Sequence, residues 1–118
     1  DFDAIVDVWI DDRRARFALE YERTLKGERH YRGIRAVLES EEQIPTILYL
    51  SSGPEVLVHL VHEFDGTRKP LAFCDARSFE NELLDTAVIT GEGQPPIRFR
   101  LLLGQYASWS LKAQVSHG

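Results

Sequence analysis

The sequence predicts an α/β fold built on a mixed central sheet flanked by helices, and two patterns predict it. The opening 22 residues alternate apolar and polar side chains twice around a polar turn, as an antiparallel hairpin does. Further on, the apolar runs "IPTILYL" and "LAFCDA" each follow a segment with helical spacing, the signature of parallel strand-helix-strand units. At 118 residues the chain has the size of one domain with a real core. Its 43% hydrophobic and 28% charged residues lie in the folded range.

In order, "DFDAIVDVWI" alternates Phe2, Ala4, Val6, Val8 and Ile10 with Asp3, Ile5, Asp7 and Trp9. "DDRR" supplies a turn, expected to close at Asp12 and Arg13, and "ARFALEYE" alternates Ala15, Phe17, Leu19 and Tyr21 with Arg16, Ala18, Glu20 and Glu22. Thr24 is the expected cap of a helix whose inner stripe is Leu25, Tyr31, Ile34, Val37 and Leu38, ending in "ESEEQ". "IPTILYL" is a strand buried on both faces, and "GPEVLVHLVHEF" places Val56, Leu57, Leu60, Val61 and Phe64 at helical spacing. After the loop "DGTRKP" come the strand "LAFCDA" and a helix over "SFENELLDTAV", with Ser78 as expected cap and Glu80 and Glu82 in its first turn. "GEGQPP" is a loop, "IRFRLLL" an expected last strand, and the tail after Gly104 carries no assignment.

The net charge of −5 argues against a broad basic surface for nucleic acid. Basic residues nevertheless crowd one segment, from Arg13 through Arg16, Arg23, Lys26, Arg29, His30 and Arg32 to Arg35, against the acids Glu39, Glu41 and Glu42. No apolar run reaches the roughly 18 residues of a membrane helix, so no membrane partner and a cytoplasmic location are expected. The single cysteine, Cys74, lies in an apolar stretch and is expected to be a buried thiol. A chain with no methionine that opens at Asp1, inside a strand, is expected to be the C-terminal piece of a longer protein, here a single domain over residues 1–118.

The acids carry the functional signal. With the turn at Asp12 and Arg13, Asp3 faces Glu22, Ile5 faces Glu20 and Asp7 faces Ala18. Any loop of two or four residues keeps Asp3, Asp7, Glu20 and Glu22 on one face, with neighbouring Cβ atoms about 5 to 8 Å apart. Converging carboxylates repel unless a divalent cation neutralises them, and hard oxygen ligands suit Mg²⁺ or Mn²⁺. Small Ala18 leaves room between them. Two readings stay open, a solvated face whose acids pair with arginines and a covered face that holds a metal. Ile5 and Trp9 on the same face favour the covered one.

"FDAIVDVW", "RFALEYERTLKGERHYRGI" and "TILYL" resemble the replication-relaxation family of plasmids and mobile elements, within the PD-(D/E)xK nuclease superfamily. The resemblance spans about residues 1 to 75. It implies a restriction-endonuclease-like core and a preceding winged-helix region that helps bind DNA. It also implies that Asp3 and Glu20 hold Mg²⁺ or Mn²⁺, with Glu22 as a further ligand or base, and the shared face adds Asp7 as a candidate extra acid. Phe2 stands where the family has proline, and Glu22 where it has the catalytic lysine. Lys26 is the replacement the resemblance offers, and Arg23, Arg29 and Arg32 are the expected phosphate contacts. Either Lys26 serves and the domain is a metal-dependent nuclease, or the site is degenerate and the domain binds DNA or assembles without cutting.

Other features weigh less. His59 and His62 sit one turn apart with no third zinc ligand nearby, "GEGQPP" lacks the lysine of a phosphate loop, and Ser51, Ser52 and Gly53 read as a capped turn. Tyr31 reads as core packing.

Overall fold

The computed structural model describes residues 2–24, 26–40, 45–67 and 69–109. Leu25, Glu41 and Glu42, named above, lie outside them.

Strands β1 (Ala4–Ile10) and β2 (Arg13–Glu22) form the antiparallel hairpin. Its turn is Asp11-Asp12, one residue earlier than expected, with Asp11 at φ 57°. Asp tolerates that left-handed backbone better than most residues, which places the turn there. Asp7 therefore faces Arg16 and Ile5 faces Ala18. The slip is two residues, so the alternation of faces survives it.

Helix α1 (Glu28–Ser40) starts after Gly27, whose carbonyl accepts the His30 and Tyr31 N–H groups at 3.0 and 3.3 Å. Thr24 is not its cap. Glycine inside a helix costs about 1 kcal/mol, so the helix begins beyond it and Lys26 lies in the preceding loop. Tyr31 and Leu38 are buried and Ile34 is half-buried, but Val37 is 60% exposed. It sits about 120° round the helix from Tyr31 and so faces out.

Strand β3 (Thr46–Ser51) is buried throughout and parallel to β2, from Phe17 beside Thr46 to Glu22 beside Ser51. Helix α2 (Pro54–Glu63) buries Val56, Leu60 and Val61 and leads to buried Phe64. Strand β4 (Leu71–Asp75) is parallel to β3. Right-handed crossovers put α1 and α2 on the same face. There Tyr31, Leu38, Leu60 and Phe64 pack on Ala18, Ile47, Tyr49 and Phe73.

Helix α3 (Ala76–Glu82) is capped by Asp75, not Ser78. Asp75 ends β4 with extended backbone and accepts the Ser78 N–H at 3.1 Å. Ser78 is thus the residue a cap serves. A 3₁₀ turn (Leu83–Asp85) follows, then a small antiparallel ribbon of β5 (Ala87–Val88) and β6 (Ile97–Arg98). The expected strand "IRFRLLL" is strand only at Ile97 and Arg98. From there it is helix α4 (Phe99–Tyr106), which buries Phe99, Leu102 and Leu103. These lie on the second sheet face with Phe17, Leu48, Leu50 and Cys74. Strand β7 (Ser108–Trp109) pairs with the start of β2, and the main sheet runs β1-β2-β3-β4. No helix of the described residues is long and apolar enough to cross a membrane.

Candidate functional site

Strand β2 belongs to both halves of the sheet, antiparallel to β1 and parallel to β3. Alternation sends Ala18, Glu20 and Glu22 toward the layer of α1 and α2. Continued one step, the hairpin register sets Asp3 opposite Glu20, and hydrogen bonds seal that pairing. The Asp3 N–H donates to Glu20 Oε1 at 2.9 Å, and the Tyr21 N–H donates to Asp3 Oδ2 at 2.8 Å. Each carboxylate thus ends a ladder that would otherwise leave a bare N–H.

Glu22 is only 8% exposed. Lys26 Nζ lies 3.7 Å from its Oε1 and 3.3 Å from Thr24 Oγ1. The backbone N–H of Lys26 donates to the buried Tyr31 hydroxyl at 2.9 Å, which ties the loop to α1. Tyr31 is core, and it also carries this loop. Asp3, Glu20, Glu22 and Lys26 are therefore brought to one end of β2.

Partial burial, then the charges of Asp3 and Glu22, push the Glu20 carboxyl above its ordinary value, against the pull of the Asp3 N–H. Asp7 shares the face but not the surroundings. Arg16 grips both its oxygens at 2.8 and 3.0 Å and holds its carboxyl below the ordinary value. The apolar border expected to be covered is open, since Ile5 and Trp9 are each 55% exposed. No described helix reaches across β1 to roof them.

The arginines scatter. Arg23 places its guanidinium 5.9 Å from the centroid of the Tyr21 ring, and Tyr21 alternates away from the acids. Arg32 pairs with Glu28 at 2.9 Å, and both Arg29 and Arg32 are exposed on α1.

Comparison with protein-family models, with curated proteins and with solved structures finds no significant match to this chain.

Asp3 and Glu20 each spend one named oxygen on a backbone N–H, and a cation would take the other. Two hard oxygen donors suit Mg²⁺, which is commonly bound through one or two carboxylates and keeps several waters. Glu22 is turned to Lys26 instead. Among the described residues no three Asp, Glu, His or Cys side chains converge as a metal group. The donor set thus fits a two-carboxylate ion, not a protein cage.

Sequence reasoning passed over Tyr49 and read Ser51 only as part of a turn, whereas both stand on β3 beside Glu20 and Glu22. Hydroxyls inside an otherwise apolar buried strand, Thr46 among them, were the signal that could have found them. The remaining candidates have ordinary partners. His59 lies 3.5 Å from Glu63, and His62 lies 2.7 Å from Glu92. Burial, then the charge of Asp75, pushes the Cys74 thiol up to about 12, so it is no nucleophile near neutral pH. Gly53 is the N-cap residue of α2, with no side-chain cap bond, and Pro54 follows it at the first helical position. Ser52 donates to the Arg23 carbonyl at 2.7 Å and staples the ends of β2 and β3.

Proposed function

We propose that this is a PD-(D/E)xK nuclease-like domain of a plasmid or mobile-element DNA-processing protein of the replication-relaxation type, acting in the cytoplasm on DNA with Mg²⁺ or Mn²⁺. The observation that carries it is the reciprocal lock of Asp3 and Glu20 on one face, with Glu22 and Lys26 at the same strand end. The order hairpin, helix, parallel strand also agrees with the core that the resemblance implies.

Asp3 and Glu20 would hold the cation. When bound, it lowers the pKa of a water and polarises the scissile phosphate. Glu22 keeps Lys26 at the site mouth, and that ammonium would stabilise the negative charge that develops on the phosphate. The exposed Arg29 and Arg32 add phosphate contacts from α1, and a winged-helix region before this domain would supply most of the grip on DNA.

One observation favours a second reading. Lys26 is engaged with Glu22, and the acids do not converge as a three-ligand group, which suits an inactive module for DNA binding or assembly. Cleavage decides between them. The protein containing this domain should nick or cut DNA with Mg²⁺ or Mn²⁺, and Asp3→Asn or Glu20→Gln should reduce the rate about 100-fold or more with DNA affinity nearly unchanged. Binding without cleavage under any divalent ion establishes the inactive module. Cleavage that survives both substitutions excludes this site.

A further inference from the structure

Strand β3 is buried along its length, yet it carries three hydroxyls, those of Thr46, Tyr49 and Ser51, without a partner among the described residues, and Thr46 stands beside Phe17 on the face away from the acids. Tyr49 is 1% exposed and Ser51 is 0% exposed, and neither Tyr49 Oη nor Ser51 Oγ has a hydrogen bond. A hydroxyl withdrawn from water without a partner is costly, and native interiors keep few of them. Their placement is specific. Tyr49 is in register with Glu20 and Ser51 with Glu22, and both share the face of those acids.

The Tyr49 ring cannot swing out to water. It packs against Phe64 at 5.1 Å and Phe73 at 5.9 Å between centroids. Burial, then the charges of Glu20 and Glu22, push its phenol well above the ordinary value, so it keeps its proton and can only help an acid by donating. Glu22, for its part, is buried with its lysine at 3.7 Å, beyond hydrogen-bond length. Buried hydroxyl donors that stand beside carboxylates with no direct bond to them, as Tyr49 and Ser51 stand beside Glu20 and Glu22, are what a buried water satisfies.

We infer that Tyr49 is a positioning residue of the acidic site: its phenol, together with the Ser51 hydroxyl, holds the Glu20 and Glu22 carboxylates in place through buried water. This deepens the nuclease-like reading and rests on it only for what the placed acids do. The competing account is packing, in which the ring fills space and the oxygen is an uncompensated burden.

The two accounts give opposite signs for Tyr49→Phe. Melting is followed without metal for wild type, Tyr49→Phe, Glu22→Leu and the double variant, with Ser51→Ala as a smaller second probe. We expect Tyr49→Phe to lower Tm by about 4 °C, Ser51→Ala to lower it less, and the Tyr49→Phe loss to shrink by half or more in the Glu22→Leu background. A Tm that rises or stays level in Tyr49→Phe overturns the inference, as does an equal loss in both backgrounds. Added Mg²⁺ then separates this inference from the larger reading. Should Mg²⁺ leave the wild-type Tm unmoved while the coupling persists, the metal site fails and the placement of the carboxylates by Tyr49 stands.

Discussion

β1 and β3 flank the same strand and live in different surroundings. Every residue of β3 is buried, whereas β1 alternates and leaves Ile5 and Trp9 half in water. Helices roof β3 on both faces, α1 and α2 on one and α4 on the other. Strand β2 crosses from one regime to the other. At its open end Arg16 answers Asp7 in solvent and lowers that carboxyl, while at its covered end burial and neighbouring acids raise the carboxyl of Glu20. The same residue class on the same sheet face thus gains opposite character within a few positions. The candidate site stands at this seam, where Glu20 is half shielded and still reachable.

The largest expected effect tests that contrast directly. Phe73→Ala removes a ring that is 2% exposed and should cost about 3 to 5 kcal/mol. Trp9→Ala in the open half should stay within about 0.5 kcal/mol. Urea unfolding of both variants compares them, and a Trp9 cost near that of Phe73 would mean that something covers the hairpin.

The next effect, about 1 kcal/mol, lies at the end of β4. Asp75→Ala should lose that much with the α3 cap, whereas Asp75→Asn keeps a good capping residue. The hydrogen bonds from Ser78 hold the Asp75 carboxyl below its ordinary value, so its extra stabilisation is present above the ordinary carboxylate range and fades as pH falls through the folded pKa. Melting at pH 7 and near pH 3 should show wild type converging on Asp75→Ala in acid while Asp75→Asn holds its cap. Parallel curves for all three would refute the cap.

The smallest effect concerns the hairpin turn. Asp11→Gly should match or exceed wild-type stability by a few tenths of a kcal/mol, because φ 57° suits glycine. Asp11→Val should lower Tm, since a β-branched residue strains at that angle. If valine were harmless, the turn would not be at Asp11.

Periodicity alone determined much of this protein. Alternation in "DFDAIVDVWI" and "ARFALEYE" dictated the hairpin, and because a side chain can face only one of two ways, it put Asp3, Glu20 and Glu22 together even with the turn misplaced by a residue. Spacing of Val56, Leu60, Val61 and Phe64 dictated α2, since a helix of this length has one way to bury that stripe. Tertiary structure decided the rest. "FRLLLGQY" is short and apolar enough for either element, and it became α4 because Phe17, Leu48 and Leu50 needed a roof, with Phe99 meeting Phe17 edge to face at 4.9 Å. Whether Asp7 met a metal or Arg16 depended on the register, which turn geometry sets. That Tyr49 and Ser51 are stranded beside the acids depended on which strand β3 chose as neighbour, a contact between residues far apart in the chain that no local pattern encodes.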